Sequence, residues 1–100
     1  MWVEPRMLER LQNDAKAYAK IREFFSQRNV LEVQTFSLSA FGNPDPHLEP
    51  VRSDHGLLHT SPELEMKKLL SKGSGDIYQL CRVYRADEVG LWHRPEFLML

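Results

Sequence analysis

The stretch from Tyr84 to Leu100 constrains the fold more than any other. It reads as strand, charged loop, strand. The first strand ends at Arg85, and the loop carries Asp87, Glu88, His93 and Arg94 around Gly90. The second strand starts after Pro95, which suits a strand's first residue because it has no N–H to place in a ladder. Folded as a hairpin, these residues bring a guanidinium, carboxylates, an imidazole and the ring of Phe97 into one neighbourhood. Such groups suit a nucleoside triphosphate. Arginine presents a planar fork that matches phosphate oxygens, and an aromatic ring offers a face on which a base stacks. The same composition also fits a solvated surface hairpin with incidental charges.

The remaining composition sets bounds. A length of 100 residues gives room for one small domain, 1–100, and a hydrophobic fraction of 42% is ordinary for a globular core. The net charge of −1, from 13 basic and 14 acidic residues, supplies no basic field to draw the chain to nucleic acid. The single cysteine, Cys81, excludes an internal disulfide and reads as a small buried hydrophobe, in keeping with a reducing, cytoplasmic setting. No stretch approaches the length needed to span a membrane.

Along the chain, Pro5 to Arg28 is the clearest helix. Met7, Leu8, Leu11, Ala15, Tyr18, Ile21 and Phe25 recur at helical spacing and mark an apolar stripe that packs on a core. Asn29 suits the left-handed conformation that ends a helix. Val30–Thr35 reads as a strand, and 37–46 as a loop rich in Ser, Gly, Asn and Pro. Thr60-Ser61-Pro62-Glu63 opens a second helix, with Thr60 or Ser61 as cap and a capping box between Thr60 and Glu63. Lys67, Lys68 and Lys72 lie toward its end, and Gly73 stops it. Asp76–Tyr84 reads as one continuous strand. His55 and His59 are four apart on a strand-like stretch with no accompanying cysteine pair, so no metal site is expected. Asp45 and His47 fit turn formers.

The string Tyr84-Arg85-Ala86-Asp87, followed by His93-Arg94-Pro95-Glu96-Phe97, resembles motif 2 of class II aminoacyl-tRNA synthetases of the lysyl type. Arg28–Thr35 is similar to that family's motif 1, with Phe36 where the family carries a proline that shapes its dimer interface. Ser61-Pro62-Glu63 matches the lysyl branch. Asp45-Pro46-His47-Leu48-Glu49-Pro50 resembles the elongation factor P–lysine ligases within it.

The resemblance implies an α+β fold, an antiparallel sheet with flanking helices, forming the N-terminal part of a class II catalytic domain with motif 1 at about 5–36 and motif 2 at about 78–100. It implies an AMP-forming ligase that uses ATP and Mg2+ to convert lysine or β-lysine into an aminoacyl-adenylate and passes it to a lysine of elongation factor P. Carried over by position, Arg85 grips the α-phosphate as the catalytic residue. Asp87 and Phe97 hold adenine, His93 lies near the phosphate tail, and Arg94 contacts nucleotide where relatives carry asparagine. Ser61 and Glu63 form the substrate-binding pair, the glutamate meeting the α-ammonium group. A homodimer is implied, and tRNA is not the expected acceptor, because the chain starts almost directly at the motif-1 helix with no preceding anticodon-binding barrel. The glycine- and arginine-rich third motif has no counterpart here, so these residues alone are expected to be inactive. Two other readings stay open: the catalytic core of a lysyl-tRNA synthetase, and a non-catalytic dimerisation or regulatory module.

Overall fold

A computed structural model describes residues 6–40, 48–86 and 95–100. Helix α1 spans Met7–Ser26, a run of leucine, alanine, lysine and glutamate suited to helix. It begins at Arg6 without a side-chain cap, and Pro5 lies outside the described residues. It ends as the sequence predicts. Asn29 takes φ 57°, Val30 N–H donates to Phe25 O at 3.0 Å and Asn29 N–H to Ser26 O at 3.2 Å, which is a Schellman motif. The apolar stripe is only partly used. Tyr18, Ile21 and Phe25 are half-buried, while Met7, Leu8 and Leu11 are exposed. The helix therefore packs through its last turns, where the Phe25 ring stacks on Tyr78 at 4.1 Å between centroids.

Strand β1, Leu31–Glu32, is shorter than its sequence suggests and pairs in parallel with β5, Ile77–Tyr78. This corrects the expectation of a wholly antiparallel sheet. Leu31 N–H donates to Asp76 O and Val33 N–H to Tyr78 O, each at 3.0 Å. The expected strand Asp76–Tyr84 is also broken, into β5 and β6, Cys81–Tyr84. The reason lies in Gln79, which is buried. Its Oε1 accepts the Thr35 N–H at 2.9 Å and its Nε2 donates to Thr35 Oγ1 at 3.1 Å. Gln34 Nε2 donates to Leu80 O at 3.0 Å. Side-chain amides thus stand in for the ladder between 79 and 80.

The part expected as a loop, 37–46, contains a strand. β2, Leu38–Ser39, pairs antiparallel with β4, Gly56–Leu58, whose other edge takes β3, Val51–Ser53. Beyond β4 the chain stays extended, so that His59 N–H donates to Ser37 O at 2.7 Å and Tyr84 N–H to His59 O at 3.0 Å. The latter bond ties this sheet to the β6 hairpin.

Helix α2, Glu63–Ser71, follows with Pro62 at its N-cap. The capping box does not form. Thr60 Oγ1 is buried with no hydrogen-bond partner among the described residues, and the Glu63 carboxylate turns to Lys67 instead. Ser61 Oγ lies 3.5 Å from the Glu63 N–H. Gly73, at φ +87°, ends the helix in a second Schellman motif, with Ser74 N–H on Leu69 O and Gly73 N–H on Leu70 O.

β6 pairs antiparallel with β7, Glu96–Met99, in the register Cys81↔Met99, Val83↔Phe97 and Tyr84↔Glu96. This is the hairpin expected from Pro95. Val83 is fully buried and Tyr78 nearly so, and these mark the core, with His59, Thr60 and Gln79 as buried polar residues beside them. The described residues thus form two helices over mostly antiparallel sheet, an α+β arrangement. No helix among them is long and apolar enough to cross a membrane.

Candidate active site

Alternation along a strand puts Cys81, Val83 and Arg85 on one face of the hairpin, and the register adds Phe97 and Met99 to it. Val83 at the centre fixes that face against the core. Arg85 sits just past the end of β6, where its backbone N–H still donates to Pro95 O at 2.8 Å. Its Nε–H donates to Thr60 O at 3.3 Å, and the guanidinium carbon lies 5.1 Å from the Phe97 ring centroid. That distance is within cation–π range. Anchored through Nε, the fork keeps its two Nη groups without a hydrogen bond among the described residues. The next residue is held too, by Ala86 N–H on Glu49 O at 2.8 Å.

Below this face is a concavity of about 580 Å³, whose wall includes Met99, Tyr78, Ser61, Glu63, Lys67 and Phe25. Ser61 and Glu63 thus line one cavity, three residues or fewer from the carbonyl that holds Arg85. The Glu63 carboxylate pairs with Lys67 Nζ at 2.8 Å, with both side chains about two-thirds exposed (66% and 68%). An exposed helical pair at this spacing contributes only about 0.3–0.5 kcal/mol. A ligand ammonium can replace it at little cost.

The opposite face has a different chemistry. Arg82 Nη1 lies 3.9 Å from Glu96 Oε1. Burial, then the hydrogen bond and charge of Glu96, raise the Tyr84 hydroxyl above its usual pKa. On the Val83 face, partial burial raises the Cys81 thiol above its usual pKa.

Of the residues expected from sequence, the structure brings Arg85 and Phe97 together and places Ser61 and Glu63 at the adjoining helix start. Asp87, His93, Arg94, Asp45 and His47 lie outside the described residues. Sequence reading reaches Thr60 only as a cap and His59 only as a metal candidate. Their main-chain and ring contacts to Arg82, Tyr84 and Arg85 leave no signature in spacing. The arginine fork over an aromatic ring fits a nucleotide. For Mg2+, no group of three or more His, Cys, Asp or Glu residues converges among the described residues, so no step is assigned to it.

Comparison with known proteins gives the family. The family model of class II tRNA synthetases (D, K and N) matches residues 1–100, and the chain belongs to that family. Among curated proteins it is 46% identical to the elongation factor P–(R)-β-lysine ligase of Avibacterium paragallinarum and 45% identical to that of Pasteurella multocida strain Pm70. Both alignments cover 99% of this chain and 34% of the relative. The protein of the same name from Buchnera aphidicola is 41% identical over the same shares. The chain spans about a third of the length of the curated relatives it matches.

Proposed function

We propose that the chain forms part of the catalytic domain of an AMP-forming ligase that activates a lysine-type amino acid with ATP and transfers it to a lysine of elongation factor P. The observation that carries this reading is the Arg85 fork, pinned by Thr60 O over Phe97, beside a cavity whose wall bears Glu63. The names of the relatives support the acceptor and the amino acid, lysine or (R)-β-lysine. In this reading motif 1 occupies about 5–36 and motif 2 about 78–100.

Adenylate formation joins two anions. The amino-acid carboxylate oxygen attacks the α-phosphorus, and the bond to the β-phosphate breaks to release pyrophosphate. Arg85 neutralises the α-phosphate oxygens as charge gathers there, and its fixed guanidinium needs no reorganisation at that moment. Phe97 and Asp87 hold the adenine, while His93 and Arg94 serve the phosphates. Glu63, with Ser61 beside it, exchanges Lys67 for the substrate's ammonium group nearest the carboxylate, α in lysine and β in (R)-β-lysine. The neutral amine of the acceptor lysine then attacks the acyl carbon, AMP leaves, and a proton is lost. Mg2+ would screen the triphosphate. The exposed apolar side chains of α1 and its neighbours, Met7, Leu8, Leu11, Leu31 and Phe36 among them, favour a homodimer.

The test uses the full-length protein with ATP, Mg2+ and radiolabelled lysine or (R)-β-lysine, offered elongation factor P or lysine tRNA. Label should enter elongation factor P. Efficient tRNA charging without transfer to elongation factor P would replace this reading with a lysyl-tRNA synthetase. Label in neither would leave a non-catalytic module.

A further inference from the structure

We propose that His59 is a positioning residue for Arg85, and so for the nucleotide; this rests on the ligase reading above. Three hydrogen bonds join the dipeptide His59-Thr60 to the segment Arg82–Arg85. The His59 ring Nε2 meets Arg82 O at 2.6 Å. His59 O accepts the Tyr84 N–H at 3.0 Å, and Thr60 O accepts the Arg85 Nε–H at 3.3 Å. A carbonyl can only accept, so Nε2 carries the proton. The same dipeptide leads within three residues to Glu63. It is the rod on which the phosphate-side cation and the ammonium-side anion are both mounted.

The ring is a costly choice for a mere filler. His59 is 8% exposed, and its Nδ1 is buried with no hydrogen-bond partner among the described residues. A leucine or phenylalanine would fill the space without orphaning a lone pair. The contact that the imidazole alone provides is the clamp on Arg82 O, which sets where β6 lies against residue 59. Without it, the main-chain bond to Tyr84 and the Arg85 Nε–H bond to Thr60 O, the longest of the three, are left to hold that edge. The Thr60 carbonyl can then drift relative to Arg85. A misplacement of about 1 Å at a reacting centre can lower a rate by as much as about a hundredfold.

Three substitutions in the full-length protein test this. Glutamine carries its amide nitrogen three bonds from Cβ, as the imidazole carries Nε2, whereas asparagine falls one bond short. His59→Leu and His59→Asn should each lower the kcat of amino-acid-dependent ATP–pyrophosphate exchange about tenfold, with the KM for the amino acid within about twofold of wild type. His59→Gln should recover to within about threefold. In protein labelled with 15N-arginine, the Arg85 Nε–H should exchange with solvent faster in the Leu and Asn variants and at the wild-type rate in the Gln variant. A Leu variant with full activity, a Gln variant no better than Asn, or equal rises in both KM values would each overturn the proposal. A wild type inactive with every lysine-type amino acid would sink the ligase reading alone. The Arg85 Nε–H pattern would then still decide whether His59 holds the arginine.

Discussion

Gly56→Ala should be among the most damaging single-atom additions to this fold. Gly56 opens β4 at φ +139°, a conformation that side chains rarely adopt. A Cβ built there runs into the carbonyl oxygen of Ser39 and comes within 3.0 Å of its carbon. Ser39 is main chain of β2, held in register with Leu57, so it cannot swing away as a flexible side chain would. The backbone term is about 1–3 kcal/mol, and the overpacking term about 1–3 kcal/mol more. Together they cost about 4 kcal/mol, a large share of the roughly 5–15 kcal/mol that holds a typical domain. Gly73→Ala separates the two terms, because Gly73 also has a positive φ (+87°) but a Cβ there meets nothing within 4 Å. It should cost only about 1–2 kcal/mol. Urea unfolding followed by circular dichroism reads both, with a constant m value as the check. Equal losses in the two variants, or a neutral Gly56→Ala, would show that β2 does not lie against Gly56.

Three other perturbations probe the joints of the structure. Gln79→Leu strands the Thr35 N–H, which the Gln79 carbonyl oxygen now accepts at 2.9 Å, and should lower stability in urea by about 1–3 kcal/mol. The Tyr78 hydroxyl is raised above its usual pKa by burial first and by the Glu32 carboxylate second, with Arg22 opposing. The unfolded chain therefore loses this proton first. The stability it contributes is fully present below about pH 10 and declines as pH rises through the folded value. Unfolding of wild type and Tyr78→Phe compared at about pH 9 and pH 11 should show a smaller decline in the variant. Glu63→Gln in the full-length protein should raise the KM for the lysine-type substrate about tenfold and leave that for ATP within about twofold, as steady-state exchange kinetics will read.

The parts legible in sequence are those with a local cause. The stop at Asn29 follows from one residue's tolerance of positive φ, the end of α2 at Gly73 from another's, and the start of β7 from the missing N–H of Pro95. The arginine and the ring that lie 5.1 Å apart were both legible because β6 and β7 follow one another in sequence and pair with each other. Long-range causes stayed hidden. The parallel pairing of Leu31 with Ile77 joins distant segments. The break in Asp76–Tyr84 arises because Gln79, polar in an otherwise strand-like run, reaches across to Thr35. Leu38–Ser39 becomes a strand only because Gly56–Leu58 lies beside it. Thr60 is a residue type that caps helices, but its carbonyl serves Arg85 and its buried hydroxyl makes no hydrogen bond among the described residues.

The most direct test of the proposed nucleotide site is lysine- or β-lysine-dependent ATP–pyrophosphate exchange by the full-length protein carrying Arg85→Ala or Arg85→Lys. Loss of a charge-assisted contact to the α-phosphate in a water-poor site costs about 3 kcal/mol, so Arg85→Ala should fall about a hundredfold in kcat. Arg85→Lys should recover only part of this, since a point charge does not reproduce the planar fork. Full exchange activity in Arg85→Ala would contradict the assignment of this hairpin to ATP.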